Sequence, residues 1–473
     1  MDYDSKQIIR KVTIRVFIFA AALAFIVWLW GFLHNGRIVL STNNQSDTIT
    51  LEKITKNGTV TEKIAESTGE KLSVVVPSGT YRAKVGGKLK TVAKTIELKA
   101  MKTEEHTLDT PELQPLEPVA PIAGSDAEVI GSEIVYLSPS GNLLKISGNL
   151  LREQLGNTIF ANISWGGSGF GIGQDIKGSL YSIAQGQINP LDLPDQPEEG
   201  ELVNYAVSKG NSIYVSVGPD IYFRSQQGSY KKIYTSPVQS PRLAASDSRV
   251  AVYSSPPIGE GHDGEDGGKA LIEIVNTDST KIASKDIPAF KLEWSPNGEK
   301  LAAIDYFGQD YIYDASLETK AVLPDEGVQN IIWLDDINAV YSSEGLLWSY
   351  NAESGTSNML AFLTAGSTFT DMSVDSAGDY LYLNASSSER KSLKRLGLKG
   401  QKSPDGLAQL GALLPTRVGD CLIGYLNFTQ RNIIVTPEPG IDNNLCITVA
   451  GNELNKLGVP ANIFNFVIGQ HEE

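Results

Sequence analysis

Phe290-Lys-Leu-Glu-Trp-Ser-Pro-Asn-Gly-Glu-Lys-Leu-Ala-Ala-Ile304 holds two short strand-like runs, one ending at Trp294 and one at Ile304. Ser295-Pro296-Asn297-Gly298 lies between them. Proline suits the second position of a turn because its ring fixes φ, and glycine suits a place that requires positive φ. The stretch therefore predicts a β-hairpin.

Outward from this hairpin the pattern repeats. Aligned on the residue that opens each unit, the copies are Trp165 in NISWGGSG, Tyr205 in LVNYAVSKG, Leu243 in SPRLAASDS, Trp294, Trp333 in NIIWLDD and Met372 in FTDMSVDSAGD. The spacing is about 40 residues, the period at which propeller blades are considered first. Only the interval from Leu243 to Trp294 carries an insertion. Pairs of apolar runs follow each opening, such as SIYVSV with IYFRS and NAVYSS with LLWSYN. Sandwich arrays lack such a repeated unit and solenoid periods are shorter. The Trp294 copy resembles the WD40-like repeat of the TolB type, in which a Trp-Ser-Pro-Asp-Gly turn joins the first two strands of a blade. The expectation is a β-propeller over 127–400 with about seven blades, the first completed by a strand from the other terminus. EIVYLSPSGNLLKIS is an earlier hairpin of that kind, its first strand unassigned.

Upstream, Val16 to Leu33 reads VFIFAAALAFIVWLWGFL without a charge. At a helical rise of about 1.5 Å per residue the run nearly spans a bilayer's hydrocarbon core. Lys6, Arg10, Lys11 and Arg15 precede it and only Arg37 follows closely. That bias predicts a cytoplasmic tail at 1–11, a transmembrane helix at 12–33 and an extracytoplasmic bulk at the plasma membrane. A cleaved signal peptide fits less well, because its apolar core is shorter and ends in small residues.

Between 36 and 108 come the runs RIVLST, TITLEKI, LSVVVPSGTYRAKV and KTIELKA. Tyr81, Ala83 and Val85 alternate with Arg82 and Lys84, as in a half-solvated antiparallel sheet. Val74 to Val85 resembles the late part of PEGA-type domains, which implies a small β-sandwich serving as spacer or binding module. Residues 109–126, with Pro111, Pro115, Pro118 and Pro121, read as a stiff extended linker. Residues 401–473 break the period and read as a β-rich segment containing DCLIGYLNF, RNIIVTPE, NLCITVAG and IFNFVIG. The whole is an all-β class of fold behind one membrane helix.

Chemistry is sparse along the chain. A net charge of −15 disfavours nucleic acid as a partner. Four scattered histidines leave little for a metal centre or a Ser-His-Asp triad. Cys421 and Cys446 are the only cysteines, and outside the cytosol they are expected to pair. Glu260, Asp263, Glu265 and Asp266 surround His262 in the glycine-rich insertion, weak candidates for calcium that do not fit the EF-hand spacing. A solvated loop is the plainer reading. The glycines at 167, 169, 171 and 173 recur every second residue and read as close packing near the propeller axis rather than as a nucleotide loop. Tyr214, Tyr222, Tyr253, Tyr306, Tyr311, Tyr313, Tyr341 and Tyr350 lie on blade strands, where packing and ligand contact are both open. The expected function is non-catalytic and without a cofactor: an anchored scaffold presenting a propeller face to a protein, peptide or envelope glycan. The alternative is a propeller hydrolase or lyase whose acidic residues converge in the axial channel.

Overall fold

The computed structural model describes residues 33–469 except 44–46, 55–59, 88–89, 110–112, 114–115, 121–124, 131–132, 147–151, 168, 198–201, 227, 255–269, 288, 306–309, 324–326, 344, 364–366, 375–377, 387–390, 399–413, 415, 425–431 and 457–460. Apart from Leu33, the expected membrane helix lies outside the described residues. Among those described, no helix is long and apolar enough to cross a membrane. The chain forms two compact units, one up to Thr110 and one from Pro111.

The first unit is a β-sandwich. In one sheet Asn35–Ser41 runs antiparallel to Lys71–Pro77 and parallel to Thr103–Thr107. In the other, Lys90–Leu98, Gly79–Gly87, Thr48–Ile54 and Val60–Thr68 pair in that order. Tyr81, Ala83 and Val85 point into a core shared with Ile38, Leu40, Ile49 and Leu51. The Tyr81 hydroxyl donates to the Pro77 carbonyl at 2.6 Å, fastening the strand to the turn before it. Arg82, expected on a solvated face, is buried as well.

In the second unit the strands group into seven four-stranded antiparallel blades among the described residues, the first two joined through one long strand. Blade 1 comprises Ser125–Ile130, Glu133–Leu137, Asn142–Ile146 and the first part of the long strand Arg152–Trp165. The rest of that strand opens blade 2 by pairing with Phe170–Asp175. Blades 3 to 6 open with Val203–Val207, Arg242–Ala245, Lys291–Trp294 and Val328–Trp333. Blade 7 takes Thr368–Val374, Tyr380–Ser386 and Lys391–Gly397, with Leu116–Ala120 as its fourth strand. Each inner strand touches the inner strand of the next blade, and the seventh touches the first. The ring is closed.

Several expectations change here. The strand from the N-terminal side completes the last blade rather than the first, which has four strands of its own. Residues 116–120, read as linker, are that strand. Proline-favoured extended backbone differs little from a strand, and an outer strand has a free edge where a missing N–H costs no ladder bond. Leu116 anchors it in a buried cluster with Leu381, Leu383 and Leu396. The alignment of the repeats also shifts. Trp165, Trp294 and Trp333 end their inner strands, but Val207, Ala245 and Val374 hold that place in blades 3, 4 and 7. Tyr205, Leu243 and Met372 stand two residues earlier on the same strands. A slip of two preserves the face on which side chains alternate, so the apolar pattern does not resist it.

The C-terminal segment combines Thr416–Val418, Cys421–Ile423 and Asn432–Pro437 with a helix, α1 (Asn443–Lys456), and a final strand, Asn465–Ile468, parallel to Asn432–Pro437. NLCITVAG is thus helical and not a strand. Its Ile447-Thr-Val449 run favours strands locally, but Cys446, Ala450 and Leu454 recur at helical spacing and are the buried residues of the helix. Asp442 accepts from the Asn444 amide at 2.9 Å and satisfies an otherwise orphaned donor of the first turn. Cys421 and Cys446, with Cα atoms 5.4 Å apart, form a disulfide between strand and helix.

Candidate functional site

The inner strands surround an axial channel, and one register position gives it a polar wall. Three residues before the ends of inner strands 2 to 7 stand Asn162, Asn204, Arg242, Lys291, Asn330 and Asp371. These side chains bridge neighbouring blades. Asn204 Nδ2 donates to the carbonyls of Ser240 and Pro241 at 3.1 Å each. Arg242 donates to Phe290 O at 2.9 Å, Lys291 Nζ to Asn330 Oδ1 at 3.1 Å, and Asn330 Nδ2 to Phe369 O at 3.2 Å. Asp371 Oδ2 accepts from the Ala127 amide at 3.2 Å, and Asp126 Oδ2 from the Ile163 amide at 3.3 Å. The Tyr205 hydroxyl donates to Asn162 O at 3.2 Å. All seven junctions are spanned by this belt.

Three tryptophans reinforce it. The indole N–H of Trp165 donates to Asp126 O at 2.7 Å, that of Trp294 to Ala244 O at 3.1 Å, and that of Trp333 to Glu293 O at 3.2 Å. Each bond reaches back to the preceding blade, so the repeat's aromatic signature also carries an inter-blade donor. Farther along, the turns after the inner strands are linked too. The amides of Gly167, Gly210 and Asn297 donate to side-chain oxygens of Asn211, Asp247 and Asp336 in the following blade, at 2.8, 2.7 and 2.9 Å. Gly298 takes φ of +72°, as the Ser-Pro-Asn-Gly turn requires.

Within this frame a cavity of about 170 Å³ is lined by Asp126, Glu128, Glu293 and Asp371 together with Lys209, Lys291 and apolar groups. An adjoining cavity of about 180 Å³ shares Trp165, Lys209 and Glu293 with it. Four carboxylates thus face two ammonium groups. Burial, opposed by the charge of Lys209 and aided by that of Asp371, pushes Glu128 up to about 7, and burial aided by Asp371 pushes Asp126 up to about 6. Burial also raises Glu293 and Asp371, against the opposing influence of Lys291. Carboxylates of this kind hold a cation readily and exchange protons near neutrality.

No three of the His, Cys, Asp and Glu side chains converge to hold a metal among the described residues. The insertion with Glu260, Asp263, Glu265 and Asp266 lies outside those residues. So does Tyr306, while Tyr214, Tyr253, Tyr311, Tyr313, Tyr341 and Tyr350 are buried in packing and Tyr222 is half-buried. The glycine run divides. Gly171 and Gly173 sit on one strand, where an added Cβ would lie 2.6 Å from the rings of Trp165 and Phe160. Gly167 and Gly169 belong to the turn before it. Close packing is thus against aromatic rings of the neighbouring strand rather than around the axis. The sequence marks the channel charges at one place, where Lys291 and Glu293 flank Leu292 just before Trp294. Charge inside a strand that ends in a buried tryptophan was the available signal.

No family model matches the sequence, and no curated protein matches it. Solved structures to which the chain is similar include "YCF48 bound to D1 peptide", 14% identical with a TM-score of 0.42 over 62% of this chain and 99% of that one. Another is "Structure of U3-55K", 11% identical with a TM-score of 0.42 over 60% and 98% of the two chains. The propeller assignment rests on the sheet order and on the closed ring of inner strands.

Proposed function

We propose that this chain is a membrane-anchored binding protein that takes a protein or peptide ligand at the axial channel of its propeller, outside the cytoplasm. The observation that carries the reading is the cluster of four partly dehydrated carboxylates inside a wall held by a belt of inter-blade hydrogen bonds. A binding site gains from such a wall because little order is lost when the ligand enters. The uncharged run at 16–33 with its basic flank supports the anchor, and the Cys421–Cys446 pair suits an oxidising compartment.

A second reading, a hydrolase or lyase with an acidic axial site, is favoured by the raised Asp126 and Glu128, since a general acid works best with a pKa near the working pH. A photo-crosslinking residue at Lys209 in the full chain, irradiated in intact cells, separates the two. A specific adduct that disappears in Asp371→Asn supports binding. Turnover of peptide, ester or glycoside substrates by the purified full chain, lost in Glu128→Gln, would reverse the order. The anchor is tested by alkaline extraction of membranes: the full chain stays in the pellet, and release into the wash would refute it.

A further inference from the structure

We infer that the axial channel is a receptor for a primary ammonium group, borne by a lysine side chain or by a free alkylamine. The inference rests on the binding reading above and names the chemistry of its ligand. Glu128 is its centre. This side chain is 6% exposed, lines the cavity and has no hydrogen-bond partner among the described residues. Lys209, whose charge reaches it, stands in an exposed turn. A carboxylate largely withdrawn from water and open only to the cavity is costly to keep charged, and a bound cation that brings N–H groups relieves that cost.

Asp126 and Asp371 stand beside it, Asp126 accepting from the Ile163 amide and the Ser125 side chain and Asp371 from the Ala127 and Met372 amides and the Asn384 side chain, with acceptor capacity left on each. Three carboxylates from two blades thus face one space. An ammonium has three divergent donors and suits several separate acceptors, whereas a planar guanidinium is best matched by one carboxylate in its plane. A metal ion needs convergent oxygens, which the described residues do not assemble. The same cavity is walled by Ile163, Ile331 and Met372, against which an alkyl stem can lie. Carboxylates and apolar wall together match a lysine-like shape.

The test uses the full chain in detergent micelles and calorimetric titration with Nα-acetyl-lysine methylamide. Its norleucine counterpart has a similar shape without the charge. The expected result is binding of the lysine compound, at least tenfold weaker binding of the norleucine compound, and at least tenfold weaker lysine binding by Glu128→Gln with an unreduced melting temperature. Asp278→Asn, in an exposed turn of blade 4, leaves binding unchanged. A pentapeptide with a central lysine and 1,5-diaminopentane distinguish the two sources, the tighter of them marking which one the site serves. Equal binding of the lysine and norleucine compounds, or wild-type affinity in Glu128→Gln, overturns the inference. So does binding of calcium with no amine binding up to about 10 mM. If a partner is crosslinked at Lys209 while every amine fails, this inference falls and the binding reading stands.

Discussion

Glu128 and Lys394 face the same physical problem with opposite sign. Lys394 is buried on the third strand of blade 7, its Nζ donating to Leu414 O at 2.6 Å, and burial lowers its pKa to about 7. Between about 7 and its ordinary 10.5 the unfolded chain binds more protons than the folded one, so this group's contribution to stability rises with pH and is lost as pH falls through 7. Glu128 is raised from 4.5 to about 7, so its contribution is fully present below 4.5 and lost as pH climbs through 7. The stability of the natural chain relative to Glu128→Gln should therefore fall between pH 4 and pH 8 by about 3 kcal/mol, since one pKa unit is worth about 1.4 kcal/mol. Relative to Lys394→Met it should rise between pH 6 and pH 10. Urea titrations across that range measure both, and a flat difference for either variant contradicts the burial argument. Trp294→Phe offers a neutral comparison. It keeps one aromatic ring but removes the rest of the indole with its donor to Ala244 O, at an expected cost of about 1–3 kcal/mol that does not vary with pH.

At the scale of elements, much of the propeller could be read from spacing and turn chemistry. The Ser295-Pro-Asn-Gly298 turn, the strands on either side of it and the recurrence near 40 residues are local signals, and local signals survive in a single sequence. What was not legible depends on partners distant in the chain. Leu116–Ala120 becomes a strand because Lys391–Gly397 offers a free edge. The helix Asn443–Lys456 forms because Cys446, Ala450 and Leu454 meet Ile433 and Val435 in one core. The channel charges stayed hidden because a slip of two in blades 3, 4 and 7 dissolved the column in which Asn204, Arg242 and Asp371 align with Lys291. Two variants examine elements directly. Gly171→Ala places a methyl against the Trp165 ring and should cost about 1–3 kcal/mol of overpacking. Replacing both Cys421 and Cys446 by alanine frees a span of 25 residues, with an expected loss of about 3 kcal/mol. Melting in the presence and absence of reductant should show the loss only where the pair was intact.

On the scale of the whole propeller, closure changes how stability is distributed. In an open array each repeat depends on its neighbours alone, and damage at one end stays near that end. Here blade 7 holds a strand from the N-terminal side and Asp371 ties its inner strand to Ala127 of blade 1, so no blade is terminal. Opening that junction creates two ends at once and removes closure from every other junction. Asp371→Ala should therefore reduce amide-exchange protection in the inner strand Arg242–Ala245, across the ring, as well as in Thr368–Val374. Asp371→Asn, which keeps an acceptor for the Ala127 amide, should preserve both. The measurement is hydrogen exchange followed peptide by peptide at one pH, comparing the two variants with the natural chain. Loss confined to blades 7 and 1 would mean that the blades behave as a chain of neighbours. Loss that reaches blade 4 in the alanine variant alone assigns the cooperativity of the ring to the inter-blade belt, and makes the rigidity of the channel wall a property of all seven blades together.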